Sequence, residues 1–249
     1  MKTTIFAKTA VILFSFLIAT MPTKAQSPVS LSLVLGGGMN VPQGNMKGSF
    51  AQKPENWDYP LSKIGYSFGG KAKIGFGSLS LIALGSYTSF SNDTTGNIAG
   101  IMVVNGTFTM NITSIGVGIE YAIITTPIVK PYLGVDGTIN FISGNINASQ
   151  TFSVMEGTST SFNQKIQTAV RGGVGLGGGL EISIPNTPIS FEIETKYRFA
   201  NLVGKEHKEN AEGDDKIYLE DGKETNNSKD HNRAINYINI GIGVKIALL

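Results

Sequence analysis

The chain has 249 residues, no cysteine, and 20 basic against 18 acidic side chains, with 41% of its residues hydrophobic. Without cysteine there is neither a disulfide framework nor a lipid-attachment residue, which excludes a stapled mini-domain and a lipoprotein. The small positive balance sits in the first residues: removing Lys2, Lys8 and Lys24 leaves 17 bases against 18 acids, so no electrostatic case for nucleic acid exists.

Residues 1–25 read as a secretory signal peptide, leaving 26–249 as one domain. Lys2 and Lys8 supply the positive start, Ala10 to Ala19 a run of about ten mostly apolar residues, and Thr23, Lys24 and Ala25 a small-x-small cleavage site. That run is too short for a transmembrane helix, which needs roughly 20 apolar residues. Polar residues interrupt every later apolar stretch, so no segment reads as a spanning helix.

Segments of alternating apolar and polar residues then follow at about 29–40, 63–76, 79–91, 108–123, 131–144, 165–184, 188–203 and 233–248. The clearest is the seventh, where Ile189, Phe191, Ile193, Tyr197 and Phe199 alternate with Glu192, Glu194, Lys196 and Arg198. Strand side chains alternate across a sheet, so one face is greasy and the other ionic. The connections at 77–78, 124–130 and 185–187 are short, and those at about 41–62, 92–107, 145–164 and 204–232 are long. This predicts an all-β fold, an eight-stranded antiparallel up-and-down transmembrane barrel with short periplasmic turns and long extracellular loops. A soluble exported sandwich is the alternative, and it would have to hide the apolar faces of every segment in one core.

Assigning faces by apolarity gives an ionic lumen. Lys71, Lys73, Arg171, Lys196, Arg198 and Lys245 are expected inside with Glu120, Asp136, Glu181, Glu192 and Glu194. Charges of near-equal number in a confined interior should pair, because a lone buried charge costs several kcal/mol. An eight-stranded barrel is just wide enough for side chains to fill it, so the interior should be plugged. Glycines repeat at period two at 36 and 38, 116 and 118, 173 to 179, and 241 and 243, as a narrow barrel needs where small residues make room for large ones. The third segment is apolar on both sides, and its face stays open. Trp57, Tyr59, Tyr66, Phe68, Tyr197 and Phe199, with Phe90 and Phe108, are expected in an aromatic belt at the membrane interface.

Four stretches carry a family likeness: Pro-Tyr-Leu-Gly-Val-Asp-Gly-Thr-Ile-Asn-Phe at 131–141, Gly-Gly-Val-Gly-Leu-Gly-Gly-Gly-Leu-Glu-Ile at 172–182, Phe-Glu-Ile-Glu-Thr-Lys-Tyr-Arg-Phe at 191–199 and Ile-Asn-Ile-Gly-Ile-Gly-Val-Lys-Ile at 238–246. With them the chain resembles the small OmpA-type and OmpX-type outer-membrane barrels, over essentially all of 26–249. The resemblance implies a monomeric outer-membrane protein in contact with membrane lipids and outer-leaflet lipopolysaccharide, inserted by the outer-membrane assembly machinery. The closing Ala247, Leu248 and Leu249 depart from the terminal aromatic of many such barrels. No peptidoglycan-binding domain follows the last strand, so cell-wall tethering is not implied.

The function expected is non-enzymatic: envelope structure, and surface interaction through extracellular loops. A small passive channel for ions or small solutes is the alternative, and an outer-leaflet lipid-modifying enzyme or protease a third reading. The loop at 204–232 holds nine of the 18 acids, which raises divalent-cation binding or an extracellular ligand against a plainly solvated loop. Its Asp-Gly pair at 221–222 predicts a hairpin standing above the membrane. Both histidines, His207 and His231, lie there, and Ser228, Asp230 and His231 are the residues a rim enzyme would use. No motif supports that trio, so no catalytic residue, cofactor or metal is assigned. The Gly-x-Gly-x-x-Gly match within 172–179 lies inside a strand with no helix after it, and so is no phosphate cradle.

Overall fold

A computed structural model describes residues 29–47, 59, 61, 63–98, 102–124, 128–152, 159–208, 216–219, 221–222 and 233–248. The signal segment 1–25 and Trp57 lie outside the described residues.

The strands are β1 (Ser30–Gln43), β2 (Gly65–Phe76), β3 (Leu79–Ile98), β4 (Met102–Ala122), β5 (Val129–Phe152), β6 (Ser159–Ser183), β7 (Ile189–Val203), the two-residue β8 (Lys216–Ile217) and β9 (Asn236–Ala247). Each long strand pairs antiparallel with its chain neighbour, β9 pairs with both β7 and β1, and the β5–β6 pairing completes the ring. The result is a closed eight-stranded antiparallel barrel, with β8 appended in parallel to β6. Closure leaves no open edge within the ring. Among the described residues no helix is long and apolar enough to cross a membrane.

One end of the barrel carries the tight turns. Gly77, at φ 66°, takes the first position of a two-residue hairpin between Phe76 and Leu79, where a positive φ matches the strand twist and suits glycine. Asn186, at φ 62°, does the same work in the turn between β6 and β7, in the left-handed region that asparagine tolerates.

At the other end the strands run further than the hydrophobic pattern predicts. The stretches 92–107 and 145–164 are not long loops. They are mostly strand, pairing β3 with β4 as far as Ile98↔Met102 and β5 with β6 as far as Thr151↔Ser159. The reason lies in a reversal of polarity along each strand. On β4, Phe108, Met110 and Ile112 are buried inside while Thr107, Thr109, Asn111 and Thr113 face out. From Ser114 onward the same strand buries Ser114 and Glu120 and presents Ile115, Val117 and Tyr121 outward. β5 reverses at the paired level: Phe141 and residues before it are apolar outside, and Asn145 and Asn147 are exposed beyond it. Apolar residues thus change phase in mid-strand, which breaks a period-two signal although the ladder is continuous.

β6 follows with a bulge. Its pairing with β5 steps from Ile142↔Ala169 to Gly144↔Ile166, so one extra residue switches parity and lets Ile166 face inward above Arg171. The third segment's open face is also settled: Ile82, Leu84, Thr88 and Phe90 are buried inside, while Ala83 and Gly85 are exposed outside.

Candidate functional site

The lumen has three levels. All eleven charged residues assigned to it stand on inward positions of their strands, and the charge pairs divide among the levels.

At the turn-side mouth is a polar vestibule of about 480 Å³, with Ser30, Ser32, Ser80, Lys73, Lys130, Tyr132, Glu181 and Lys245 in its wall. Lys245 Nζ donates to both Glu181 oxygens, at 2.9 and 2.8 Å, and Lys130 Nζ lies 3.7 Å from the same carboxylate.

The middle level is a septum of buried ion pairs. Lys71 Nζ reaches Glu120 Oε1 at 3.1 Å and Glu194 Oε2 at 2.6 Å, and also bonds Glu192. Lys73 reaches Glu120 Oε2 at 2.7 Å and bonds Glu192, and its ammonium lies 4.9 Å from the Tyr132 ring centroid. Tyr132 in turn donates its hydroxyl to Glu194 at 3.0 Å. Lys196 spans Asp136 and Glu194 at 3.1 Å each, and Arg198 bonds Asp136. Four cations therefore meet four carboxylates, each charge with at least one partner, which is the condition for tolerating them in a low-dielectric interior. Oxygens of Glu120, Glu192 and Glu194 lie within 4.8 Å of one another, a spacing that fits a cation. The Lys71 ammonium bonded to all three occupies that place.

The glycines make the septum possible. A Cβ on Gly175 would stand 2.5 Å from Arg198 Nη1 and 2.7 Å from Asp136 Oδ1, and one on Gly179 2.7 Å from the Tyr132 hydroxyl. Above the septum a smaller cavity of about 100 Å³ lies among Ser67, Thr88, Arg198, Tyr237 and Asn239.

The loop-side level is an apolar plug that the sequence reading did not foresee. Phe90, Phe108, Met110, Ile112, Ile142, Ile166 and Tyr237 from the wall pack with Met46, Tyr59, Leu61 and Leu219 from the long connections. Tyr59, Phe90 and Phe108, expected in the interfacial belt, are instead 5%, 0% and 4% exposed in this plug. Phe90 and Phe108 lie above the level where polarity reverses, so their strands turn them inward, and Tyr59, in a connection, packs against Phe108. Tyr66 and Phe68 do face outward, at 69% and 66% exposure. Tyr197 and Phe199 take outward positions with ring centroids 4.7 Å apart.

The described part of the last long connection is tied into this level at Asp221, whereas its Asp-Gly pair predicts a hairpin standing above the membrane. Asp221 is fully buried, and its carboxylate accepts from Arg171 Nε and Nη2, Asn201 Nδ2 and the Glu206 backbone N–H. Asn201 also accepts from the Ile235 N–H at 2.7 Å, joining the segment that leads into β9. Asp221 is thus a sixth luminal acid beside the five assigned, and it is the partner of Arg171. It was missed because nothing in sequence distinguishes one acid of an acidic loop from its neighbours. Outside this hub, the Lys208 hydrogen bond and charge hold Glu206 below the usual carboxylate range, with 2.8 Å between the groups. Burial pushes the Lys205 ammonium down. His207 is half-buried, whereas Ser228, Asp230, His231 and most of the loop's acids lie outside the described residues.

No protein-family description matches the chain, and no curated protein does. Among solved structures it is similar to Neisserial surface protein A, at 15% identity and TM-score 0.43 over 90% of this chain and 99% of that one. It is similar also to Ail, the attachment invasion locus protein of Yersinia pestis. The structure with the heparin analogue sucrose octasulfate gives 16% identity and TM-score 0.37, and another gives 12% and 0.36, each over 88% of this chain and 99% of that one. The architecture of the present chain rests on its own strand pairing.

Proposed function

We propose that the protein is an integral outer-membrane barrel of the small eight-stranded kind, exported by its N-terminal signal, non-enzymatic and non-conducting. Its work is to stand in the envelope and hold its loop-side structure above the membrane for surface interaction. The observation that carries this reading is the reversal of polarity on β4 between Thr113 and Ile115. Below it, Ile115, Val117 and Tyr121 are 51%, 68% and 56% exposed around a charged interior. Water does not favour that arrangement, whereas a bilayer does. Above it the strand has an apolar inside and a polar outside, as in water.

The outward apolar stripe of β5 runs from Val129 to Phe141. At about 3.4 Å per residue and a tilt of about 40° it is roughly 30 Å tall, close to one hydrocarbon layer. The polar extensions then stand at the level of outer-leaflet lipopolysaccharide headgroups. The septum and the plug support a closed lumen over a passive channel, because each fills the bore with partnered side chains. Insertion by the outer-membrane assembly machinery is part of the same proposal.

The chain's lack of cysteine makes the test direct. Single variants Asn163→Cys, on the exposed loop-side extension, and Ile124→Cys, in a turn, are treated with a membrane-impermeant maleimide on intact cells. Labelling of Asn163→Cys at once and of Ile124→Cys only after lysis is expected. The opposite order would reject the orientation, and equal labelling of both would reject the membrane.

A further inference from the structure

We propose that the turn-side vestibule is a binding site for a small free oxyanion, recognised by Lys130 and Lys245. This goes beyond the membrane reading, since it concerns the interior of the barrel alone.

The first ground is charge. The septum is balanced, four cations against four carboxylates, and Arg171 is matched by Asp221. The vestibule wall also holds Lys73 and Glu120, which pair with each other in the septum. At the mouth the two lysines Lys130 and Lys245 share one acid, Glu181. Lys245 takes both oxygens of Glu181, and Lys130, 3.7 Å away with 36% of its side chain exposed, is left as a surplus cation. Among the charges of the septum and the turn-side mouth it is the one in excess.

Space and donors agree with this. The cavity of about 480 Å³ exceeds what a tetrahedral anion with several waters fills, a water's share of liquid being about 30 Å³. Its wall offers the hydroxyls of Ser30, Ser32 and Ser80 beside the ammonium groups, which are the donors an oxyanion needs beyond a countercharge. Its floor is the septum, so an anion entering from the turn side goes no further. Lysine suits this role, because a compact ammonium on a flexible stem acts as a point charge without a fixed fork.

The experiment titrates the refolded barrel, in a zwitterionic detergent, with inorganic phosphate at constant ionic strength. Backbone amide shifts are followed by NMR, and heat-modified gel mobility verifies the fold of each variant. Saturable shifts confined to the turn-side residues are expected. Lys130→Gln should weaken binding by about fivefold, the scale of one partly exposed charge contact. Glu181→Gln, which raises the surplus, should tighten it by a similar factor. That gain cannot arise from loss of fold. Lys63→Gln, on the loop side and paired with Asp93 at 3.3 Å, should change nothing. Shifts that do not saturate, or an equal response in Lys130→Gln and wild type, would overturn the proposal. So would shifts that follow phosphatidylglycerol added to the micelles and not free phosphate.

Discussion

Arg171 on β6 and Asp221 in the last long connection lie 50 residues apart and share three hydrogen bonds inside the barrel mouth, at 3.2, 3.0 and 2.9 Å. Their side chains are 4% and 0% exposed. Asp221→Asn keeps the shape but leaves the guanidinium buried without a countercharge, and a broken buried pair costs about 3–5 kcal/mol. A lowered urea midpoint and easier proteolysis of the last connection are expected. Arg171→Met combined with Asp221→Leu should recover most of the loss. If the double variant is as unstable as the single one, shape and not charge holds the loop.

Lys71 is the tethered cation of a tricarboxylate site. Lys71→Met removes it from among Glu120, Glu192 and Glu194, whose oxygens lie within 4.8 Å of one another. The variant should lose stability on the scale of about 3–5 kcal/mol. It should regain part of that with millimolar calcium, because convergent oxygens bind this ion. Wild type should not respond. Calcium-independent unfolding of the variant would show that the three acids relax apart or bind protons instead.

The proposed bilayer boundary is open to mutation on one strand. Val117→Arg puts a charge in the middle of the outward stripe and should destabilise the inserted barrel by about 2–4 kcal/mol. Thr109→Arg lies on the same face of β4 above the reversal, and should cost less than about 0.5 kcal/mol. Equal costs in a folding titration with lipid vesicles would move the boundary.

Two glycines of the same sheet should behave oppositely. Gly175→Val forces a side chain into the Arg198–Asp136 pair, 2.5 and 2.7 Å from the added Cβ, and overpacking of this kind costs about 1–3 kcal/mol. Gly137 faces outward with nothing within 4 Å of an added Cβ. Gly137→Ala should therefore be neutral or stabilising by up to about 1 kcal/mol. Thermal shift of heat-modified mobility ranks the two.

In planar bilayers the folded barrel should be electrically silent. Both the Lys71–Glu192–Lys73 septum and the plug around Phe90 and Met110 close the bore. Steady discrete openings in wild type, changed by Glu192→Gln, would establish a pore in their place.

Sequence by itself determined the barrel, the end that carries its short turns and the inward faces of the eleven charges assigned on its strands. Between the turns and the reversal β7 alternates strictly, and a residue such as Glu192 between Phe191 and Ile193 has its face fixed by its neighbours, whereas β3, apolar on both sides, has no such signal. What only the tertiary structure decided lies above the reversal. Phe108, Met110 and Ile112 are in phase with Glu120 yet apolar, so the pattern that reads as a strand ending is a continuous strand whose apolar residues change face. Tyr59 and Asp221 have no periodicity to place them, being in connections. They are positioned by partners far along the chain, Tyr59 beside Phe108 and Asp221 on Arg171. A buried apolar contact or ion pair is set by distance in space, and that distance exists only once the ring has closed.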